Sequence, residues 1–136
     1  MKIYISGSIY GGREKIETYK KIIPALEEYA EVLNKNIADD EVIEKEAFQK
    51  DEDIFTDLEL KIKSADLIFA EVTIPSLGVG YELGFADTLG KKVVGIYDTT
   101  ITQKVSTMIR GNKRIRLIPY ENIDEILNNL EEILEI

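Results

Sequence analysis

Residues 75–84, "PSLGVGYELG", set one carboxylate among small residues and bare backbone. Glu82 stands in an apolar helical pattern just after Gly78 and Gly80, with Gly84 behind it. Ser76 adds a hydroxyl, and the glycines leave N–H groups open at a helix N-terminus, a combination that holds anions. A second stretch near the N-terminus, "SGSIYGGR" (6–13), repeats the theme with Ser8, Gly11, Gly12 and the cation of Arg13. It lacks the G-x-G-x-x-G spacing, and no acidic residue ending the second strand is placed to hold a ribose diol. The loop therefore suits a phosphate monoester better than a dinucleotide. Both features have plainer readings: a tight β-to-α turn, and a first-turn Glu82 that only partners the helix dipole.

The rest of the composition narrows the reaction. The 136-residue chain has no histidine and no cysteine. That removes a Ser-His-Asp triad, a Cys-His pair, a histidine zinc site, an imidazole base and any disulfide framework. Acid–base chemistry near neutral pH falls to carboxylates, Tyr, Lys or water. A net charge of −9 argues against a nucleic-acid polymer as partner, since a phosphate backbone needs a basic face. Its plainer meaning is solubility. No apolar run reaches the length of a membrane span, and "MKIYISGS" enters a strand-like segment without the features of a signal peptide. A single cytoplasmic domain over residues 1–136, with no membrane partner, is the expectation.

Short β-rich runs alternate with helical segments and must position these loops. "KIYIS" (2–6) reads as the first strand, and 13–30 as an amphipathic helix that Pro24 kinks or divides. "EVLN" (31–34) reads as a second strand, and 38–50 as a mobile, exposed connection with about one helical turn. A helix over 53–64 leads to "DLIFAEVT" (66–73), apolar enough for the centre of a sheet. A helix over 80–89, a strand at 92–98, a short helix over 103–110, a strand at 114–120 and a closing helix over 121–135 complete the pattern. Such alternation gives a Rossmann-like, doubly wound α/β domain with a five-stranded parallel sheet, order 2-1-3-4-5. Ligands bind such sheets beyond the carboxyl ends of the strands where the order reverses. Here that point lies between strands one and three, whose outgoing loops are the two glycine-rich ones.

The segments "IYISGSIYGGR", "ADLIFAEVTIPSLGVGYELG" and "VSTMIRG" resemble the motifs of the 2′-deoxynucleoside 5′-monophosphate N-glycosidases, within the nucleoside 2-deoxyribosyltransferase superfamily. The resemblance runs almost the whole chain in one order, and the block from Ala65 to Gly84 is the most specific part. It implies a homodimer that hydrolyses the bond between base and deoxyribose 5-phosphate, with no metal and no cofactor. By position, Glu82 matches the catalytic glutamate, a nucleophile at the anomeric carbon, and Tyr4 the tyrosine that orients the site. Ser8 and Ser76 match phosphate contacts, with the backbone of Gly78 nearby. Gly7, Ile9, Gly11, Gly12 and Arg13 join the substrate-binding set. Ser106 matches a serine that reaches the phosphate from the neighbouring subunit, and Met108 a residue lining the base pocket. The plainer readings are a helix-surface serine and core filler.

The family's second acid is an Asp in an Asp-hydrophobic-Glu segment of the helix before strand three, and "DLE" (57–59) matches it. Counted back from "SADLIFAE", however, Asp57 lies one residue too far, and an ungapped alignment puts Leu58 there. One residue turns a side chain by about 100° around a helix. A bulge or shifted helix start restores Asp57; otherwise Glu59 or Asp53 replaces it, or the site is impaired. Asp57 is the reading carried forward. Two further departures are Tyr10, where the family has Arg, and Asn36, where well-known members have histidine.

The implied chemistry passes through an oxocarbenium-like state that a carboxylate beneath the anomeric carbon stabilises or traps. A base-exchanging deoxyribosyltransferase shares those carboxylates, as does a variant acting on ribonucleotides such as a cytidine monophosphate. A nucleotide-binding module without catalysis is the rival of another class. A flavodoxin-like FMN carrier fits the fold, but aromatics placed to sandwich a flavin are missing.

Overall fold

The computed structural model of the chain describes residues 1–10, 12 and 14–136. Gly11 and Arg13, both expected at the substrate, lie outside the described residues. Five strands, β1 (Lys2–Ser6), β2 (Glu31–Val32), β3 (Leu67–Glu71), β4 (Lys92–Asp98) and β5 (Ile115–Tyr120), form one sheet. Its order is β2-β1-β3-β4-β5, as the alternating pattern predicts, and every pairing is parallel. The register places Ile5 beside Phe69 and Phe69 beside Val94. Strand β3, buried at every position, takes the centre because both of its faces are covered.

One face of the sheet packs against α1 (Ile16–Glu27), α6 (Asp124–Leu127) and α7 (Leu130–Leu134) through Ile3, Ile5, Tyr19, Leu26, Phe69 and Ile133. The other carries α3 (Asp51–Ser64) and α4 (Leu77–Thr88), whose Ile62, Val79, Leu83 and Ala86 meet Tyr4, Ile68 and Ala70. Alternation along β1 therefore sends Ile3 and Ile5 one way and Tyr4 and Ser6 the other, toward α3 and α4. Among the described residues no helix is long and apolar enough to cross a membrane.

Several elements differ from the sequence reading for local reasons. Helix α1 runs undivided through Pro24. Pro24 and Lys20 are both exposed, so the carbonyl that proline leaves unpaired faces water. Strand β2 has two residues rather than four, because the Asn34 side chain continues the ladder: its Oδ1 accepts from Ile5 N–H at 2.8 Å and its Nδ2 donates to the Ile5 carbonyl. The acidic stretch 38–50 is not wholly an exposed connection. It contains α2 (Val42–Glu46), whose Val42 and Glu46, four apart on one face, are both buried. The closing helix is two short ones, α6 and α7, and only 107–110 of the expected 103–110 helix forms, as α5 (Thr107–Arg110). Finally, α4 begins at Leu77, not at residue 80, because Ser76 caps it by accepting from Val79 N–H at 3.3 Å.

Candidate active site

That cap moves Glu82 into the second turn of α4, and the first turn holds no acidic residue. A dipole partner acts only within the first turn, so that explanation of Glu82 falls away. The carboxylate lines a cavity of about 290 Å³ between α2, α3 and α4, together with Gly78 one turn earlier. The side chains that act most directly on Glu82 come from β1. Tyr4 and Ser6, both about 1% exposed, point to this face of the sheet.

The electrostatics of Glu82 are those of a carboxylate withdrawn from water. Burial pushes its pKa up to about 7; Tyr4 and Ser6 pull it down in part, and the charge of Glu46 raises it further. Burial and the adjacent Glu82 hold the Tyr4 hydroxyl far above the ordinary phenol range, so it remains a proton donor. Tyr4 and Ser6 lie near enough to act on the carboxylate. Even so, Ser6 Oγ and Glu82 Oε2 are buried without a completed hydrogen bond among the described residues. Buried polar atoms seldom remain unpaired except where a site awaits a ligand or water.

The two loops sit where the topology requires. Ser8 is buried after β1, and its carbonyl accepts from the Tyr19 hydroxyl at 3.2 Å. A Cβ on Gly7 would come within 2.7 Å of the Tyr19 ring and 2.8 Å of Ile37, so only glycine fits against that fixed aromatic. Gly7→Ala is expected to cost about 1–3 kcal/mol in urea denaturation, with loss of activity as the loop is pushed outward. A variant as stable and as active as the parent would show that this contact yields freely. Gly12 has φ +147, and a side chain there would collide with Glu14. Ile9 packs against the α1-side core. The Ser76 hydroxyl, though it accepts from Val79, keeps its own proton to donate.

The expected residues do not all converge. Glu82, Tyr4 and Gly78 belong to one place. Ser76, Gly80, Gly84, Ser106 and Met108 border a second groove between α4 and α5. There Ser106 caps α5 by accepting from Met108 N–H at 3.3 Å, and the Met108 side chain is 83% exposed rather than core filler. Asp57 is turned outward. Its side chain is exposed and pairs with Lys61 at 2.7 Å, while Leu58 and Glu59 line the Glu82 cavity. Helix α3 runs unbroken from Asp51 to Ser64, with neither bulge nor late start to restore the register. Asp57 reaches the site only through its charge, which helps raise the pKa of Tyr4.

Two polar residues that act on Glu82 escaped the sequence reading. Ser6 was legible as the second residue after Tyr4 in a strand. Glu46, buried on α2, carried no signal within a run of acids; the Tyr10 hydroxyl donates to its Oε2 at 2.5 Å. Among the described residues no group of three or more His, Cys, Asp or Glu is placed to hold a metal ion.

A doubly wound α/β domain with a half-buried glutamate facing a cavity at the strand-order reversal defines a class of small-ligand site. The chain belongs to the nucleoside 2-deoxyribosyltransferase family, whose model matches residues 3–116. It is 36% identical over 138 residues to the 5-hydroxymethyl-dUMP N-hydrolase of Danio rerio, covering 99% of this chain and 96% of that one. It is 41% identical over 111 residues to the protein of the same name from Rattus norvegicus, covering 80% of this chain and 68% of that one. The structure of the CMP N-glycosidase BcmB of Clostridium botulinum superposes with a TM-score of 0.70 at 23% identity, covering 98% of this chain and 99% of that one, a likeness of fold.

Proposed function

We propose that this chain hydrolyses the N-glycosidic bond of 2′-deoxynucleoside 5′-monophosphates, releasing free base and 2-deoxyribose 5-phosphate. The observation that carries this reading is Glu82: a carboxylate with a pKa near 7, facing a cavity at the switch point, beside a tyrosine held protonated. The names of the relatives, N-hydrolases of a deoxynucleoside monophosphate, support the substrate class.

In this mechanism a Glu82 oxygen attacks C1′ as the base departs, and the resulting ester is then hydrolysed. Tyr4 donates to the carboxylate and fixes its orientation. Ser8, Ser76 and the glycine backbones hold the 5′-phosphate, so that binding energy far from C1′ aligns the sugar. Ser76 and Ser106 border one groove whose rim includes Leu77, 96% exposed, and Met108. That exposed apolar rim supports a homodimer, and the resemblance to the family assigns Ser106 of the second copy to the phosphate site. A monomer by light scattering at working concentration would remove that part of the proposal.

The direct test is a panel of deoxynucleoside monophosphates assayed for free base by chromatography. Release is expected from at least one of them, with unphosphorylated nucleosides poor substrates. Added free base should not be built into a new nucleotide; if it is, the chain is a base-exchanging transferase. Matched ribonucleotides report the sugar preference. Tight nucleotide binding with no base released would identify a binding module.

A further inference from the structure

We propose that Glu46 is the second catalytic carboxylate of this chain, the group that gives a proton to the departing base and takes one from the incoming water. The inference rests on the N-glycosidase reading above. It follows from which acids surround the cavity that Glu82 lines.

Four other acids come into question, and each is otherwise disposed. Asp57 faces solvent in its ion pair with Lys61, and Leu58 occupies the cavity wall. Asp53 is exposed in the first turn of α3 and is not part of the wall. Asp51 lines the cavity but is exposed at the start of the same helix, and Glu59 is held by Lys63 at 3.1 Å. Glu46 is only 8% exposed, lies on the wall shared with Glu82, and takes a 2.5 Å hydrogen bond from Tyr10. No ion pair to Glu46 occurs among the described residues.

A second observation points to a ligand between the two carboxylates. The buried Ser6 Oγ and Glu82 Oε2 are the polar atoms left without a completed hydrogen bond in this corner of the molecule. The charge of Glu46 also acts on Glu82, which places it within electrostatic reach of the reacting group. Tyr10, 68% exposed at the mouth, fixes the orientation of the Glu46 carboxyl by donating to its Oε2. This gives a structural sense to the tyrosine that stands in place of the family's arginine.

The two half-reactions balance. In the first, the C1′–N bond breaks with its electron pair going to the base. A Glu82 oxygen bonds C1′, and the Glu46 carboxylic proton passes to the base. In the second, a water oxygen bonds C1′, the Glu82–C1′ bond breaks with its pair returning to the carboxylate, and the water's proton passes to Glu46. Glu46 ends as it began.

The test compares Glu46→Gln, Glu46→Ala and Asp57→Asn in the full chain, with free-base release from the best deoxynucleoside monophosphate as readout. Glu46→Gln keeps the shape and the Tyr10 contact, and is expected to lower kcat by about 100-fold or more with KM little changed. Asp57→Asn is expected to retain most of the parent rate. Glu46→Ala supplies a readout that a structural role would not move. Sodium azide, which needs no base to attack C1′, should intercept its Glu82–C1′ ester and yield 2-deoxyribosyl azide 5-phosphate. Parent-like kcat in both Glu46 variants overturns the assignment, as does an Asp57→Asn variant that alone loses activity, or the absence of any azide adduct. Failure of the N-glycosidase reading would show earlier, as a parent protein that releases no base, and it would take this inference with it.

Discussion

Replacing Glu82 by Gln is expected to slow base release by about 10³-fold or more and, at the same time, to make the folded protein more stable at pH 8. The two effects have one cause. The carboxylate is held where water solvates it poorly, and its pKa moves from 4.5 in the unfolded chain to about 7 in the folded one. Between those values the folded state keeps a proton that the unfolded state has released. Stability contributed by this proton is complete below pH 4.5 and is lost as pH rises through about 7. The parent protein therefore pays for an ionised Glu82 at pH 8 by up to about 3 kcal/mol, which the neutral amide does not incur. Thermal melts of the two proteins should coincide near pH 4 and diverge toward pH 8, the variant melting higher. Glu71, also raised by burial, is common to both proteins and cancels in the comparison.

The activity of the parent should follow the same group with opposite sign. Attack at C1′ needs the ionised form, so the rising limb of kcat/KM is expected to have its midpoint near pH 7, the value burial sets for Glu82, and a falling limb should follow where the proton donor to the base is lost. A Gln variant that retains parental kcat would sink the nucleophile assignment. Melts that never diverge would instead say that Glu82 is solvated as an ordinary surface acid.

Much of this was legible because the signals are periodic. The alternation of apolar runs with helical segments was enough for the strand order, and the order then pointed to the candidate site between the loops leaving β1 and β3. The pair Tyr4 and Glu82 was legible from motif alone. The Asp57 question was legible as well, in a count one residue out, and an unbroken α3 turns that residue away from the cavity. Glu46 was not legible. In a chain with 26 acidic residues, nothing in the letters separates a buried glutamate from its solvated neighbours. The difference arises only when α2 folds against the 3₁₀ turn Lys35–Ala38 and Val42 carries Glu46 inward with it. Partnerships between distant charges are hidden for the same reason. Lys15 and Asp98, 83 positions apart, form an ion pair that no local pattern announces.

That ion pair supports the largest expected stability loss. Lys15, at the end of the loop leaving β1, places its Nζ 2.9 Å from Asp98 Oδ2 and 5.3 Å from the centre of the Tyr120 ring. Lys15 and Asp98 are each about 7% exposed. Burial alone would raise the pKa of Asp98, but hydrogen bonds from Thr100 and Lys15 outweigh it and hold the carboxyl below its usual range. Nearby, Tyr120 donates to Glu71 at 2.5 Å, so the carboxyl ends of β3, β4 and β5 meet the start of α1 in one polar knot. Lys15→Met removes the cation and leaves a buried carboxylate with only its Thr100 donors. The expected cost is about 3–5 kcal/mol, because an orphaned charge keeps its desolvation penalty after losing its partner. In urea this should lower the midpoint by about 2 M. Adding Asp98→Asn should recover much of the loss, since the neutral amide carries no charge to strand. A single variant within about 1 kcal/mol of the parent would show that water reaches Asp98. A double variant no better than the single would place the cost in packing around Tyr120 rather than in the charge.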